Sequence, residues 1–296
     1  MKNNRNCKIC DQSNLKIKYH VAICKNCGVH LFYPYPEDDE EIFSKNKYTK
    51  DNIAVSENRS ETQSRQRDYL SKSGDLNISN FKRMINYTIP KSKNKEMIKI
   101  LDYGGGSGQF AKICKIIFPN SEIYITDLYD EKLLDDFKIY NNQIKFNEFK
   151  NNDLKFDFIF LNDVFEHLSN PTNVLKILNQ KLKNKDSKIF IDTPKIFWIY
   201  DFFSFLNLGI YRKILNGTID QDHQQIWTKK SFHLAIKKSN LIVEKYEEVT
   251  EFTQPADFYL DAMKIKNISI RLLGKIFYLL APIIARNKII SVLRNN

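Results

Sequence analysis

At 296 residues, with 42% apolar content and 13% aromatics, the chain exceeds the usual size of one domain and can bury a substantial core, so one main domain with appendages is expected. The formal charge of +11 ordinarily points to nucleic acid or an anionic surface, but Lys, Ile and Asn are abundant throughout, as in chains drawn from an AT-rich genome, and part of the excess is compositional. The basic start lacks an apolar h-region and no run of eighteen apolar residues follows, which argues against a signal peptide and a membrane-spanning helix and predicts a cytoplasmic protein.

Four of the five cysteines form two pairs, Cys7-Lys8-Ile9-Cys10 and Cys24-Lys25-Asn26-Cys27, with thirteen residues between them. Each CxxC knuckle sets two thiolates on one side of a tight turn, and two knuckles close a tetrahedral site with no open position, which reads as a structural zinc ribbon. Two disulfides are the poorer reading in a reducing cytoplasm; a redox dithiol and a metal-free cluster stay open. Cys114 stands apart and reads as a small core residue.

Further on, Ile98 to Leu101 is a short β-branched run and Phe110 to Phe118 has helical apolar spacing. Between them, Asp102-x-Gly104-x-Gly106-x-Gly108 holds, with Gly105, four of the nine glycines of the chain. A strand-to-helix turn needs glycine where φ is positive or where backbone meets a ligand, and it aims the helix N-terminus at what is bound. A dinucleotide fingerprint requires glycine or alanine where Gln109 stands, and no Gly-Lys-Ser/Thr follows for a P-loop. A glycine turn with no nucleotide is the plain alternative.

Strand and helix then alternate, which predicts a parallel α/β sheet covered on both faces. Strands are expected at Glu122 to Thr126, Gln143 to Phe146, Phe156 to Leu161 and Lys188 to Ile191, with a helix over Pro171 to Leu182 and Leu241 to Val249 closing the sheet as part of an antiparallel pair. Asp127 ends the second strand nineteen residues after Gly108, where a carboxylate can accept both hydroxyls of a ribose; Asp130 is the competitor past the strand end. Glu148 is either an acceptor for an adenine amino group or a solvated loop acid.

The glycine turn with its acid, together with Asn162-Asp163 and the Glu166-His167-Leu168 turn before Pro171, resembles the class I S-adenosylmethionine-dependent methyltransferases of the methyltransferase-23 type. The first fifty residues are similar to the zinc-ribbon head of many bacterial members: a CxxC knuckle followed by Gly28, an apolar strand, Pro34-x-Pro36, the acidic run Glu37 to Glu41, and Tyr48. The resemblance reaches to about residue 250. It implies an α/β fold with a Rossmann-like seven-stranded methyltransferase sheet, helices on both faces, a small N-terminal zinc ribbon and a C-terminal helical tail. The implied divisions are 1–50 for the head, 51–97 for a helical lead-in or lid, 98–255 for the S-adenosylmethionine domain and 256–296 for a basic amphipathic tail.

On that resemblance Asp102 lies near the methionine end of S-adenosyl-L-methionine, Gly104, Gly106 and Gly108 cradle it, Asp127 holds the ribose, Glu148 meets the adenine and Asn162 completes the cofactor site. His167 is a base or a histidine capping the next helix. His223, ahead of Trp227-Thr228, is a second base or a loop residue, and Asp163 is a fallback proton acceptor. Asp163-x-x-Glu166-His167 also resembles a metal-binding pattern of one methyltransferase branch, with no fourth ligand in view. Thr193-Pro194 begins the acceptor side, and the aromatic stretch Phe197 to Leu215 is the expected specificity insert.

The implied reaction is O-methylation of a sugar or other small metabolite in bacterial surface-glycan (capsule or lipopolysaccharide) biosynthesis. An RNA methyltransferase and a non-enzymatic cofactor-binding member are the alternatives; RNA is disfavoured, and DNA excluded, by the lack of an Asn/Asp-Pro-Pro-Tyr after the fourth strand and of a Pro-Cys nucleophile. The tail from Ala262 to Asn296 carries seven basic residues and no acidic one. Its apolar positions Leu273, Ile276, Phe277, Leu280 and Ile284 share a helical face, which suits packing on the main domain, a homodimer partner, or peripheral contact with the inner face of a membrane.

Overall fold

The structure, a computed structural model, describes residues 6–18, 21–35, 78–106, 108–127, 142–196, 223–251, 255–262, 265–284 and 286–296. Its main body is a seven-stranded sheet in the order β10-β11-β8-β7-β4-β5-β6. The strands are β4 (Lys99–Tyr103), β5 (Glu122–Asp127), β6 (Gln143–Lys145), β7 (Phe158–Asn162), β8 (Lys188–Pro194), β10 (Leu241–Val249) and β11 (Lys288–Asn295). β6, β5, β4, β7 and β8 run parallel, and β11 joins antiparallel to both β8 and β10. This is the Rossmann-like methyltransferase sheet that the alternation and the resemblance predict.

Side-chain alternation along these strands divides the core in two, as the pleat of a sheet covered on both faces requires. Leu101, Tyr103, Ile159, Leu161, Ile189, Ile191 and Leu293 point to one face, with Leu175 and Leu178 of α4 (Pro171–Gln180) and Phe232 and Ala235 of α5 (Lys229–Lys238). Ile100, Phe158, Phe160, Phe190, Ile290 and Val292 point to the other, against Met84 and Ile85 of α1 (78–88) and Phe110, Ala111 and Cys114 of α2 (Gln109–Ile117). Cys114 is fully buried there. A single turn, α3 (Phe146–Phe149), follows β6.

The N-terminal strands β1 (Leu15–Lys18), β2 (Val21–Cys24) and β3 (His30–Phe32) form a second small sheet, completed by β9 (Gln225–Ile226) from far along the chain. His30 pairs with Ile226 and Leu31 with Gln225. The Thr228 hydroxyl, which caps α5, also donates to the Cys27 carbonyl at 2.8 Å. Cys7, Cys10, Cys24 and Cys27 sit in the same apolar cluster as the first face of the main sheet, so the head rests directly on the main body.

The C-terminal segment differs from the sequence expectation. After α6 (Ala256–Ala262), the tail is helical over α7 (Ile268–Ile284), but its last residues return as β11 between β8 and β10. Pro282 lies near the end of α7, and the following Ile289, Ile290, Val292 and Leu293 are buried on both faces of the sheet. A β-branched run buried on both sides is a central strand. The helical tail thus accounts for only the first part of this segment, and β11 is the partner of β10. Residues 51–77 of the helical lead-in, the acidic run from Glu37, Tyr48, Asp130 and the aromatic stretch Phe197 to Leu215 lie outside the described residues.

Candidate active site

The parallel strands end at one edge of the sheet, and most of the expected cofactor residues gather there. Gly104, Gly106 and Gly108 have φ values of 77°, 48° and 86°, so the turn uses glycine where an L side chain is strained. The amides of Gly104 and Gly105 donate to the Thr126 carbonyl at 2.7 and 3.3 Å, which ties the turn to the end of β5. A Cβ on Gly104 would come within 2.5 Å of Val164, and one on Gly105 within 2.7 Å of Asp102. The glycines therefore let the turn lie against the carboxylate below it and the β7 turn beside it.

Asp102, at the end of β4, is 2% exposed and its Oδ2 has no hydrogen-bond partner. Burial, and next the charge of Asp127, push its carboxyl up to about 7. Asp127 Oδ2 accepts from the Gly106 amide at 2.8 Å. At the end of β7, both side-chain polar atoms of Asn162 are buried without partners. An orphaned carboxylate oxygen and an orphaned amide at adjacent strand ends are groups that a bound ligand would satisfy. Glu148 stands apart, mostly exposed at 3.9 Å from Lys145.

Past β7 the chain makes a sharp turn. Asp163 takes a left-handed conformation with φ 51°, its amide donates to Asp192 Oδ1 at 2.7 Å, and its carboxylate lies 2.6 Å from Lys288 Nζ. Lys288, at the start of β11, also reaches Asp192 at 2.9 Å and Glu251 at 3.4 Å; Glu251 pairs in addition with Arg83. Burial opposes the charge on Lys288, and the three carboxylates outweigh it, holding the ammonium well above its usual range. Burial raises Asp192 to about 7, against the pull of Lys288.

The histidines meet beyond this network. The rings of His167 and His223 have centroids 4.7 Å apart, and His167 Nε2 lies 3.9 Å from Glu166 Oε1. The Gln225 side-chain amide donates to the carbonyls of Phe165 and Leu168 at 2.7 and 2.9 Å, clamping the turn to β9 and so setting the two rings side by side. Among the described residues, the helices that follow each histidine are capped by other side chains: Asn170 caps α4 and Thr228 caps α5. Glu166 is buried, accepts from Thr193 Oγ1 at 3.0 Å, and burial holds its carboxyl well above the usual range. Glu166, His167 and His223 bring three ligand-type atoms within 4.8 Å of one another. Asp163, the first acid of the sequence pattern, faces Lys288 instead.

In the head, Sγ of Cys7 and Cys27 are 3.7 Å apart and those of Cys10 and Cys24 are 3.4 Å apart, with all four sulfurs within 4.8 Å and buried. A tetrahedral ion at about 2.3 Å from four sulfurs has edges of about 3.8 Å, so the cluster has the dimensions of a metal centre.

Sequence reading missed Lys288, Asp192, Glu251, Arg83 and Gln225. Asp192 directly precedes Thr193-Pro194, the start of the expected acceptor side, and the apolar run from Ile289 to Leu293 is the available signal for a strand that carries a lysine to the site.

Asp102 gives a pH dependence. Its folded value of about 7 lies above the unfolded value of about 3.9, so the folded chain holds the extra proton between the two, and the contribution favours folding below this window and is lost as pH rises through about 7. Denaturant titrations of the wild type and Asp102→Asn should show the wild type losing stability relative to the variant by on the order of a few kcal/mol between about pH 4 and pH 8. A gap that stays constant with pH contradicts the buried neutral carboxyl.

The comparisons with known proteins agree with this geometry. A geranyl diphosphate C-methyltransferase from Streptomyces coelicolor A3(2), solved with Mg2+, geranyl diphosphate and S-adenosyl-L-homocysteine, is 11% identical with a TM-score of 0.54, covering 78% of this chain and 83% of its own. A second geranyl diphosphate methyltransferase structure, in complex with SAM, is 10% identical with a TM-score of 0.54, covering 77% and 89%. The cyclase SpnF is 12% identical with a TM-score of 0.50, covering 74% and 81%; at these identities the likeness is one of fold. Comparison with curated proteins gives no match. The methyltransferase-domain family of the methyltransferase-23 type matches residues 73–246, more than half of the chain, and the chain belongs to this family of class I S-adenosylmethionine-dependent methyltransferases.

Proposed function

We propose that the protein methylates a hydroxyl of a sugar or similar small metabolite in surface-glycan assembly, with the cofactor over the glycine turn and His167 and His223 at the acceptor. The observation that carries this reading is the histidine pair, 4.7 Å between rings, where His167 on the turn that leaves β7 meets His223 just ahead of β9. S-adenosylmethionine supplies an electrophilic methyl group on a sulfonium sulfur, which an in-line nucleophile displaces to leave the thioether. The chain's tasks are to hold that line and to accept one proton from the hydroxyl oxygen as the new bond forms.

For the cofactor, Gly104, Gly106 and Gly108 admit a close approach to the backbone, Asp127 exchanges its Gly106 bond for the ribose hydroxyls, and Asp102 and Asn162 turn their unsatisfied oxygen and amide to the bound molecule. Glu148 is left to the adenine side. For the acceptor, an imidazole of the pair takes the hydroxyl proton, with the Glu166 carboxyl 3.9 Å from His167 Nε2. Asp163 is the fallback base, its carboxylate already engaged by Lys288. The cysteine-rich head resembles that of bacterial members of the family, and the glycan reading rests on that resemblance. The neighbouring folds include a C-methyltransferase and a cyclase, so the sheet alone does not select the acceptor.

Labelled cofactor incubated with fractionated cell extract should place methyl groups in the glycan fraction, and His167→Ala and His223→Ala should each lower turnover about 10²- to 10⁴-fold with cofactor affinity unchanged. Label in RNA overturns the acceptor assignment, and near wild-type turnover in both variants removes the histidines from the chemistry.

In the head, we propose one zinc ion held by Cys7, Cys10, Cys24 and Cys27, closing the knuckles that carry β3 and, through it, β9. Elemental analysis of protein purified under reducing conditions should give one zinc per chain, and chelation should lower the thermal midpoint, since such a site couples metal binding to folding. A metal-free chain with an unchanged midpoint rules the ribbon out.

A further inference from the structure

The helix α7 turns its apolar side away from the described residues it packs on. Its inward stripe is polar or small: Arg271 bonds Asp257 and Asp261 at 2.9 and 2.6 Å, Gly274 lies against Leu260, and Ala281 is buried with its carbonyl accepting from Thr250. Its outward side carries Ile268, Leu272, Leu273, Ile276, Leu279 and Ile283 among its exposed residues, with Leu279 at 74% and Ile283 at 80% exposure. At 100° per residue these positions cover an arc of roughly 140°, interrupted by Ser269. An exposed apolar surface of this size marks a contact.

We infer that this face seats on an anionic lipid bilayer. Charge complementarity selects the occupant. Asp257 and Asp261 are already neutralised by Arg271 and Lys275, Lys266 and Arg286 are exposed at the two ends of the helix, and the whole chain carries +11. Basic residues flanking a broad apolar arc are the composition of a helix that lies in the plane of the interface beside acidic headgroups. No helix among the described residues is long and apolar enough to cross a membrane, so α7 lies on the bilayer. A second copy is the poorer fit: a helix of 17 residues is about 25 Å long, and one such stripe buries on the order of 500 Å² per copy, below the roughly 800 Å² per partner of a stable interface.

The placement has a consequence for the reaction. Asn287 follows α7 and exchanges two hydrogen bonds of 2.9 Å with the Glu251 backbone, and the next residue, Lys288, bonds Asp163 on the acceptor turn. A bilayer under α7 is thus joined by one short segment to the acceptor edge, which suits an acceptor held on a lipid. This last step rests on the glycan reading; the docking itself does not.

Co-sedimentation tests it. The full chain is spun with vesicles of phosphatidylglycerol and phosphatidylcholine, with vesicles of phosphatidylcholine alone, and without lipid. The wild type should pellet with the anionic vesicles, weakly with the neutral ones, and the doubly substituted Leu272→Asp, Leu279→Asp chain should partition at least about tenfold less. Both positions are exposed, and unchanged S-adenosylmethionine affinity in that variant shows that the fold and the cofactor site are intact, separately from the acceptor question. A wild type that stays in the supernatant with anionic vesicles, or a variant that binds them equally, overturns the inference. So does a lipid-free dimer in sedimentation velocity that the variant dissolves, which would give the face to a second copy.

Discussion

Lys288 is a single ammonium buried among the carboxylates of Asp163, Asp192 and Glu251, and the turn that leaves β7 depends on it. Each of those acids lies near the end of a different strand, so one charge joins β7, β8, β10 and β11 at the edge where the glycine turn also sits. Removing an ion from water is expensive, and a buried pair holds only where geometry and further hydrogen bonds repay the desolvation. Here the Asp163 amide on Asp192 and the Arg83 contact on Glu251 supply them. The left-handed Asp163 follows from that network: the chain must turn sharply to present its amide and its carboxylate to two neighbours at once, and the turn directs Glu166 and His167 toward β9.

The head contributes to the same edge. β3 carries β9 through the pairs at His30 and Leu31, and the side chain of Gln225 on β9 clamps the Phe165 to Leu168 turn. His223 therefore reaches His167 because a sulfur-rich head more than 190 residues earlier in the chain holds one short strand in place. The head thus acts at a distance through packing, by fixing where two side chains meet. On the opposite side of the turn, the orphaned atoms of Asp102 and Asn162 have no such internal partner, which is the expected state of groups that a ligand completes.

Much of this is legible in the sequence, for reasons that differ by element. The glycine turn is readable because positive φ leaves few residue choices, and β4, β5 and β8 because a strand buried on both faces is an apolar run. The cysteine spacing points to the head cluster directly. β11 is not readable in the same way: Ile289 to Leu293 follows a helix with a proline near its end, and a short apolar run there fits a helical tail as well as a strand until its neighbours are known. With β11 goes Lys288, whose partners are 96 and 125 residues away in sequence at Asp192 and Asp163, beyond any local pattern. His167 and His223 are each visible, but their meeting depends on Gln225 and β9, a pairing set by tertiary structure. The orientation of α7 is half readable: its apolar face is evident, but that this face turns outward is shown only by tertiary contacts, among them the ion pairs to Asp257 and Asp261.

The central claim is that S-adenosylmethionine lies over the glycine turn, between Asp102, Asp127 and Asn162. Isothermal titration of the cofactor into the wild type, Asp127→Ala and Gly106→Phe tests it most directly. Binding should be weakened by about 2–4 kcal/mol in Asp127→Ala, through the loss of two charge-assisted hydrogen bonds, and abolished in Gly106→Phe, where a side chain enters the space the cofactor needs. Affinity unchanged in both variants would contradict the placement of the cofactor at this turn.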